Sequence, residues 1–367
     1  MPMKKIITLL YMLITVWNAT AQQDAYLITG KVMDAATKLP LQGASVFAQN
    51  TTIGTATDPQ GNFTLRLLNG GYDLIITFTG YQTVTRRITT ADASDKDIVI
   101  AIAQKEKALE DVVIRSSNEV KDGLEKYGSF FEENFIGKTA NSSQCTIKNK
   151  EVLKFYFYKK KNRLKVLATA PLEIENVALG YTIKYTLDSF THEYASQLST
   201  YSGYPLFQDM KPVDEAQKTG WYNNRLKAYR GSMLHFMRSV HDKILKEEGF
   251  EIQLVAKNNE VETAIPLVDF YGALNYSKND STQLAEITPN QQNLAVLYTK
   301  EAPDPLYLSQ SGDVARKFQL SVITIAPDQS IGIEQNGYFF DQNDIVINGY
   351  WIWQKVADVL PYDFRPQ

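Results

Sequence analysis

The chain predicts a mainly β protein, a β-sandwich at the N-terminus followed by a larger α+β domain in which strands predominate. Three observations carry that expectation. Between Tyr26 and Ala103 short apolar runs alternate with turn residues at close intervals. Further on, Tyr181, Ile183, Tyr185 and Leu187 stand at alternate positions, the period of a strand with one buried face. After Gly231 the period changes: at about 100° per residue Met233, Phe236, Met237, Val240 and Ile244 share one face, as in a helix.

The first residues are read separately. Lys4 and Lys5 precede an apolar run over 6–17 and then Ala19-Thr20-Ala21, the order of a secretory signal peptide. Residues 1–21 are therefore expected to be removed and the chain exported. The apolar run is shorter than the roughly 20 residues of a membrane-spanning helix, and no later run is long enough. Cys145 is the only cysteine, so no internal disulfide forms and no lipid anchor is expected near the cleavage site. It opens a strand-like run, which favours a buried thiol over a reactive or intermolecular one. With 44% hydrophobic and 11% aromatic residues the chain can bury a sizeable core. A net charge of −3 supplies no field for nucleic acid or an anionic membrane surface.

In the first module, strands are expected at 28–33, 44–48, 63–67, 74–78, 84–88 and 98–102. Phe63, Leu65 and Leu67 fall on one face, Thr64 and Arg66 on the other. Asp58-Pro59-Gln60-Gly61 has the residues of a tight turn in order: an acceptor, a residue with φ near −65°, and a glycine at the end. Gly70-Gly71 and Gly80 are expected to supply positive φ. These residues carry a resemblance. Thr29-Gly30-Lys31-Val32-Met33-Asp34, Pro40-Leu41-Gln42-Gly43-Ala44-Ser45-Val46, Thr57-Asp58-Pro59-Gln60-Gly61-Asn62-Phe63 and Gly80-Tyr81 resemble the carboxypeptidase regulatory-like domain. The resemblance implies a seven-stranded, prealbumin-like sandwich without catalytic function. Such modules accompany secreted carboxypeptidases and stand at the N-terminus of many TonB-dependent receptors. Leu109-Glu110-Asp111-Val112-Val113-Ile114 also resembles the segment leading into the plug of those receptors, but no recognisable plug follows.

The domain division that follows is signal peptide 1–21, sandwich 22–104, linker 105–118 and mixed domain 119–367, the charged stretch 104–110 opening the connection. In the mixed domain Val120, Leu124, Phe131 and Phe135 predict a helix over about 118–134. Strands are expected at 153–158 and 164–168 around a basic tip, Lys159-Lys160-Lys161-Asn162-Arg163, which reads as a solvated turn. A strand follows at 180–190. The helix after Gly231 has Ser232 as its cap and Gly249-Phe250 as its stop, with His235, Arg238 and Asp242 on a polar outer face. Strands at 319–325, 330–335 and 344–347, a turn at 327–329 and a short helix ending near Pro361 close the chain. Trp351 and Trp353 are expected to seal the core. Over 225–238 and 351–362 this half resembles uncharacterised regions that follow the module in some bacterial envelope proteins, with no activity attached.

Candidate binding residues cluster in one stretch. Trp221, Tyr222 and Tyr229 offer faces for sugar rings or peptide, Arg225 and Arg230 offer forks for carboxylates, and His235 and Arg238 follow within a turn or two. No catalytic residue, metal or cofactor is assigned. None of the three histidines, His192, His235 and His241, has a glutamate three residues later, and the His-Glu-x-x-His arrangement is absent. The serine-hydrolase elbow and both phosphate-binding glycine loops are missing. A small transmembrane barrel is disfavoured by the irregular strand spacing. The expectation is an exported periplasmic or outer-membrane-associated binding or structural protein whose partner is an envelope protein or glycan. An accessory or receptor role in TonB-dependent uptake and a two-carboxylate glycosidase stay as alternatives.

Overall fold

The computed structural model describes residues 25–90, 92, 98–105, 118–258, 261–311, 316–326, 329–340 and 345–367. The expected signal peptide, nearly all of the expected linker with its 109–114 segment, and parts of the 327–329 turn and the 344–347 strand lie outside them.

Seven strands build the N-terminal unit: β1 (Ala25–Asp34), β2 (Ser45–Ala48), β3 (Gly54–Ala56), β4 (Asn62–Leu68), β5 (Tyr72–Thr77), β6 (Val84–Ile88) and β7 (Ile98–Ile102). They form two sheets, β4-β1-β7 and β3-β2-β5-β6, with β1 and β7 parallel. Phe63, Leu65 and Leu67 point inward onto Ile28, Val32, Val46, Leu74 and Ile76, while Thr64 and Arg66 are exposed. β3 has no counterpart among the expected strands, because Gly-Thr-Ala carries no apolar period.

The turn at Asp58 holds as its chemistry predicts. The Asp58 carboxylate accepts from the Gln60 and Asn62 amides at 2.9 and 2.8 Å, and Gly61 N–H donates to Asp58 O. Gly61 sits at φ +78, and a Cβ there would lie 2.6 Å from Val32 O, the atom's neighbour Val32 N–H being bonded to Gly61 O. Replacing Gly61 by Ala is expected to destabilise the protein by about 1–3 kcal/mol, read as a lowered denaturation midpoint. An unchanged midpoint would show that the turn relaxes freely. Gly80, at φ +84, delivers Tyr81, whose hydroxyl donates to Asp34 Oδ2 at 2.7 Å. Gly71 differs from expectation. Its φ is not positive; a Cβ would instead strike Arg87 Nη2 at 2.0 Å and Glu334 Oε1 at 2.3 Å, so the glycine is there for close approach.

The next sheet runs β8 (Cys145–Ile147), β9 (Leu153–Tyr158), β10 (Arg163–Ala168), β11 (Leu172–Asn176), β12 (Tyr181–Glu193) and β13 (Leu198–Asp209), in the order β8-β11-β12-β10-β9 with β13 on the other side of β12. β12 is its spine, with Tyr181, Ile183, Tyr185, Leu187 and Phe190 in the core. The helix α1 (Gly123–Phe135) packs Phe131 and Phe135 on them. Cys145 is buried, and burial pushes its thiol up to about 12. β13 escapes a sequence reading because Ser, Gly203 and Pro205 interrupt it. It tolerates Pro205 because that residue's backbone faces away from β12, toward Asn50 and Thr51, where its carbonyl accepts from Asn50 N–H and no N–H is needed from it.

Two helices, α2 (Glu215–Tyr229) and α3 (Met233–His241), lead to a third region: β14 (Phe250–Asn258), β15 (Val261–Pro266), β16 (Ser277–Lys278), β17 (Ala285–Ile287), β18 (Asn293–Tyr298), β19 (Gln319–Ile325), β20 (Ile331–Ile333) and β21 (Ile345–Gly349). Its sheets are β15-β14-β18-β19-β21 and β16-β17-β20. Two short helices are inserted, α4 (Phe270–Ala273) between β15 and β16 and α5 (Pro305–Ser311) between β18 and β19.

Three expectations are corrected here. α3 stops at His241 rather than near Glu248. Lys243 takes φ +58, its N–H bonds Val240 O, and Ile244 N–H bonds Ser239 O, a complete left-handed helix stop without glycine. Ile244 consequently leaves the apolar face and is 36% exposed. His235 and Arg238 are buried, not on a polar outer face, because the C-terminal segment packs on that side. The expected helix before Pro361 is two separate 3₁₀ turns, Tyr350–Ile352 and Val356–Asp358, parted by extended Lys355. Trp351 is held in place by its indole N–H on Gly231 O at 2.6 Å and does enter the core of the third region.

The sandwich is clamped to the rest. Phe47 and Ile75 face away from its core yet are 3% and 0% exposed, and Leu206 of β13 lies beside Gly54 and Phe47. Asn50 N–H donates to Pro205 O, Phe207 N–H to Thr51 O, and Tyr362 N–H to Asn50 O. The Asp363 carboxylate takes the amide and hydroxyl of Thr52. A continuous Leu-Ile-Ile run in β5 is the sequence mark of a strand covered on both faces.

Candidate functional site

A cavity of about 480 Å³ opens where α2 turns into α3. The corner is tight: Arg230 leaves the helix extended, Gly231 takes φ +70, and the Ser232 hydroxyl caps α3 by accepting from His235 N–H. That corner places Tyr229, Arg230, His235 and Arg238 on one wall. Tyr298, Lys300 and Glu301 come from the end of β18 and the residues after it, Asp242 and Glu248 from the turn after α3, and Arg365 from the C-terminal segment.

His235 is the most constrained side chain. Its Nδ1 accepts from Gly231 N–H at 3.1 Å, which leaves the proton on Nε2 to be donated to Glu248 at 3.0 Å. The ring packs against Tyr229, Phe250 and Tyr298. Burial pushes its pKa down to about 4, against the pull of Glu248. With both nitrogens engaged, the imidazole has no lone pair free for a reacting group. Arg238 spends its guanidinium on three backbone carbonyls, of Asn336, Phe364 and Tyr362, at 3.0, 3.0 and 2.9 Å. It is the pin that holds the C-terminal segment over the cavity.

The other candidates lie apart. Trp221 is buried with its indole N–H on Val177 O at 2.8 Å, and its ring fills the space that a Cβ on Gly180 would need. Arg225 donates to Leu179 O and Gly180 O, pairs with Asp209 at 2.9 Å, and lies 3.8 Å over the Tyr181 ring. The Tyr222 hydroxyl both donates to and accepts from the Gln367 backbone. Tyr222 and Arg225 line a smaller cavity of about 230 Å³ across the C-terminal segment. The seven residues are thus split: four around one cavity, two on another, and Trp221 on neither.

Arg230 is the accessible member, 55% exposed and 3.8 Å from Glu301, whose carboxyl is raised by burial despite that partner. The rim therefore alternates in sign, with Arg230, Lys300 and Arg365 among Asp242, Glu248 and Glu301. Lys300, Glu301, Tyr298 and Arg365 were invisible in the sequence, since nothing local marks residues that meet only through the fold. Among the described residues no group of three or more His, Cys, Asp or Glu side chains is placed to hold a metal ion. Nor is any helix among them long and apolar enough to cross a membrane.

A family profile described as a CarboxypepD_reg-like domain matches residues 28–114, in agreement with the sandwich and its motifs. No curated protein matches the chain. Among solved structures, a Bacteroides fragilis protein of unknown function, provisionally described as membrane-associated, is similar at 15% identity over 44% of this chain and 65% of its own, with a TM-score of 0.19. A DUF3823 family protein from Bacteroides ovatus is 12% identical over 51% of this chain and 82% of that one, at a TM-score of 0.17. A 9R-lipoxygenase from Cyanothece is 8% identical over 66% and 50%, also at 0.17. This chain spans less than two thirds of the first, and at these scores no function passes from any of them.

Proposed function

We propose that a chain carrying this regulatory-like module is an exported, non-catalytic binding protein of the cell envelope, periplasmic or outer-membrane-associated. In this reading the module at 22–104 is a structural partner joined through 105–118 to a ligand-binding part, 119–367. The observation that carries it is the α2–α3 cavity, where a rim of alternating charge stands over a floor backed by the buried Tyr229 and Tyr298. Such a rim suits a ligand bearing both signs, a short peptide segment, whether free or attached to a glycan. Its volume lies within the range of about 300–1,000 Å³ usual for small-ligand sites.

The test is titration calorimetry of the full chain with the peptide Ala-Glu-Lys-Ala. Arg230→Glu is expected to weaken binding about tenfold or more, since it puts a like charge beside Glu301. Lys300→Glu is expected to do the same. Arg230 is largely solvated, so the fold survives the change. No measurable binding, or affinity indifferent to both reversals, would remove the cavity from the proposal.

A further inference from the structure

A second cleft, about 640 Å³, runs along the seam between the sandwich and the β12 sheet. One wall is the sandwich loop between β5 and β6. The other is the turn between β10 and β11 together with Thr186–Asp188 of β12. Its distinguishing feature is a break in the β12–β13 ladder. Leu187 pairs with Gly203 and Ser189 with Ser202, so Asp188 is an extra residue. The bulge shifts the phase by one: Leu187 and Phe190, three apart, both point into the core, and Asp188 is released on the outer side. Gly203 makes the bulge possible, because a Cβ there would strike Thr186 O at 2.5 Å. Bulges of this kind commonly re-aim a side chain beside a functional site.

The cleft is held open by fixed groups. Lys105 N–H donates to Gly80 O and Gln82 N–H to Ala103 O, which lock the loop. The Phe78 and Tyr81 rings lie 5.3 Å apart, and Tyr81 is anchored by Asp34. At Gly80 nothing stands within 4 Å of where a side chain would begin, so the loop faces open space. Among the described residues the charged groups are one anion and one cation, Asp188 and Lys105, and the rest of the lining mixes threonine hydroxyls and the two rings with Leu167, Pro171 and Leu187. Burial raises the Asp188 carboxyl although the Tyr204 hydroxyl and Lys105 favour its charged form.

We propose that this seam cleft binds a neutral oligosaccharide, its hydroxyls donating to Asp188 and its apolar ring face resting on the Phe78–Tyr81 pair. The balance of these two charges disfavours an anionic polymer, and the mixture of hydroxyls with apolar side chains matches the polar rim and apolar face of a sugar ring. The site is independent of the α2–α3 cavity.

The experiment is calorimetry of the full chain with maltohexaose, cellohexaose, laminarihexaose and chitohexaose. At least one is expected to bind, and Asp188→Ala is expected to weaken it about tenfold or more. Because Asp188→Ala also alters the bulge, Thr79→Arg, on the exposed opposite wall, serves as the second variant and is expected to block the cleft. Arg230→Glu is expected to leave this binding unchanged. No binding of any of the four up to about 10 mM, or binding that survives both cleft variants, overturns the proposal.

Discussion

Arg87→Ala is expected to lower the stability of the protein by on the order of 3 kcal/mol. Arg87 leaves β6 and crosses the seam, where its Nη2 lies 2.7 Å from Glu334 Oε1 and its guanidinium sits 4.3 Å from the Tyr338 ring centroid and 4.2 Å from that of Phe340. Glu334 is 7% exposed, so removing its partner leaves a largely buried carboxylate without its counter-ion. Breaking a buried pair costs about 3–5 kcal/mol, and each stacked face adds about 0.5–1. Arg87 is 25% exposed, and solvent screening brings the sum below that of a fully buried pair, to on the order of 3 kcal/mol. Arg87→Lys is expected to recover less than half of the loss, since an ammonium reproduces the charge but neither the planar stacking nor the fork.

The neighbouring groups show that the contact is built. Gly71 carries no side chain where one would strike both Arg87 and Glu334, Tyr338 donates to Asp73 at 2.6 Å, and Asn336 donates to Gly71 O. Denaturation by urea measures the effect. With the seam intact the sandwich should unfold together with the rest; with Arg87 gone, its transition should separate to lower denaturant. A loss below about 1 kcal/mol would show that the clamp contributes little.

What the sequence discloses follows from range. Local rules are legible: the Asp58 turn needs only neighbours within four residues, and the strand at Phe63, Leu65 and Leu67 needs only period two. Gly249-Phe250 is legible as a turn because glycine announces it, and Phe250 N–H bonds Leu245 O, but it closes a separate turn and not α3. The first stop, at Lys243, is not, because lysine rarely takes φ +58 and nothing in its identity signals it. The phase slip at Asp188 is written in the spacing of Leu187 and Phe190, but only once the strand is known to continue. The seam and the cavity rims are illegible for another reason: Arg87 and Glu334, or Arg230 and Glu301, are distant in sequence and meet through packing. The same limit separates Trp221, aromatic and suited to stacking on a ligand, from its actual place under Gly180.

His235→Gln and Asp358→Asn are expected to tilt the pH dependence of stability in opposite directions. His235 has a native pKa of about 4 against 6.5 when free. The unfolded chain binds the proton first, so this group's contribution is complete above pH 6.5 and is lost as pH falls toward 4, about 3 kcal/mol in all. Asp358, buried beneath the Thr139 hydroxyl and the Asn141 amide, is pushed up to about 6 from 3.8 by burial. Here the native state binds the proton first, so its contribution is complete below pH 3.8 and is lost as pH rises through 6, again about 3 kcal/mol. Between pH 4 and 6 the two slopes oppose each other in the native protein. Removing His235 leaves the Asp358 slope, and stability should fall as pH rises across that window; removing Asp358 should make it rise. Urea midpoints at pH 4, 5, 6 and 7, taken as differences from the unmodified chain so that the other carboxylates cancel, separate the cases. Parallel profiles for all three proteins would mean that neither group titrates differently on folding. The two groups have separate hydrogen-bond partners, Gly231 and Glu248 for His235 and Thr139 and Asn141 for Asp358. The double variant should therefore restore the original slope while keeping the summed loss in midpoint, a result that a shared local rearrangement would not produce.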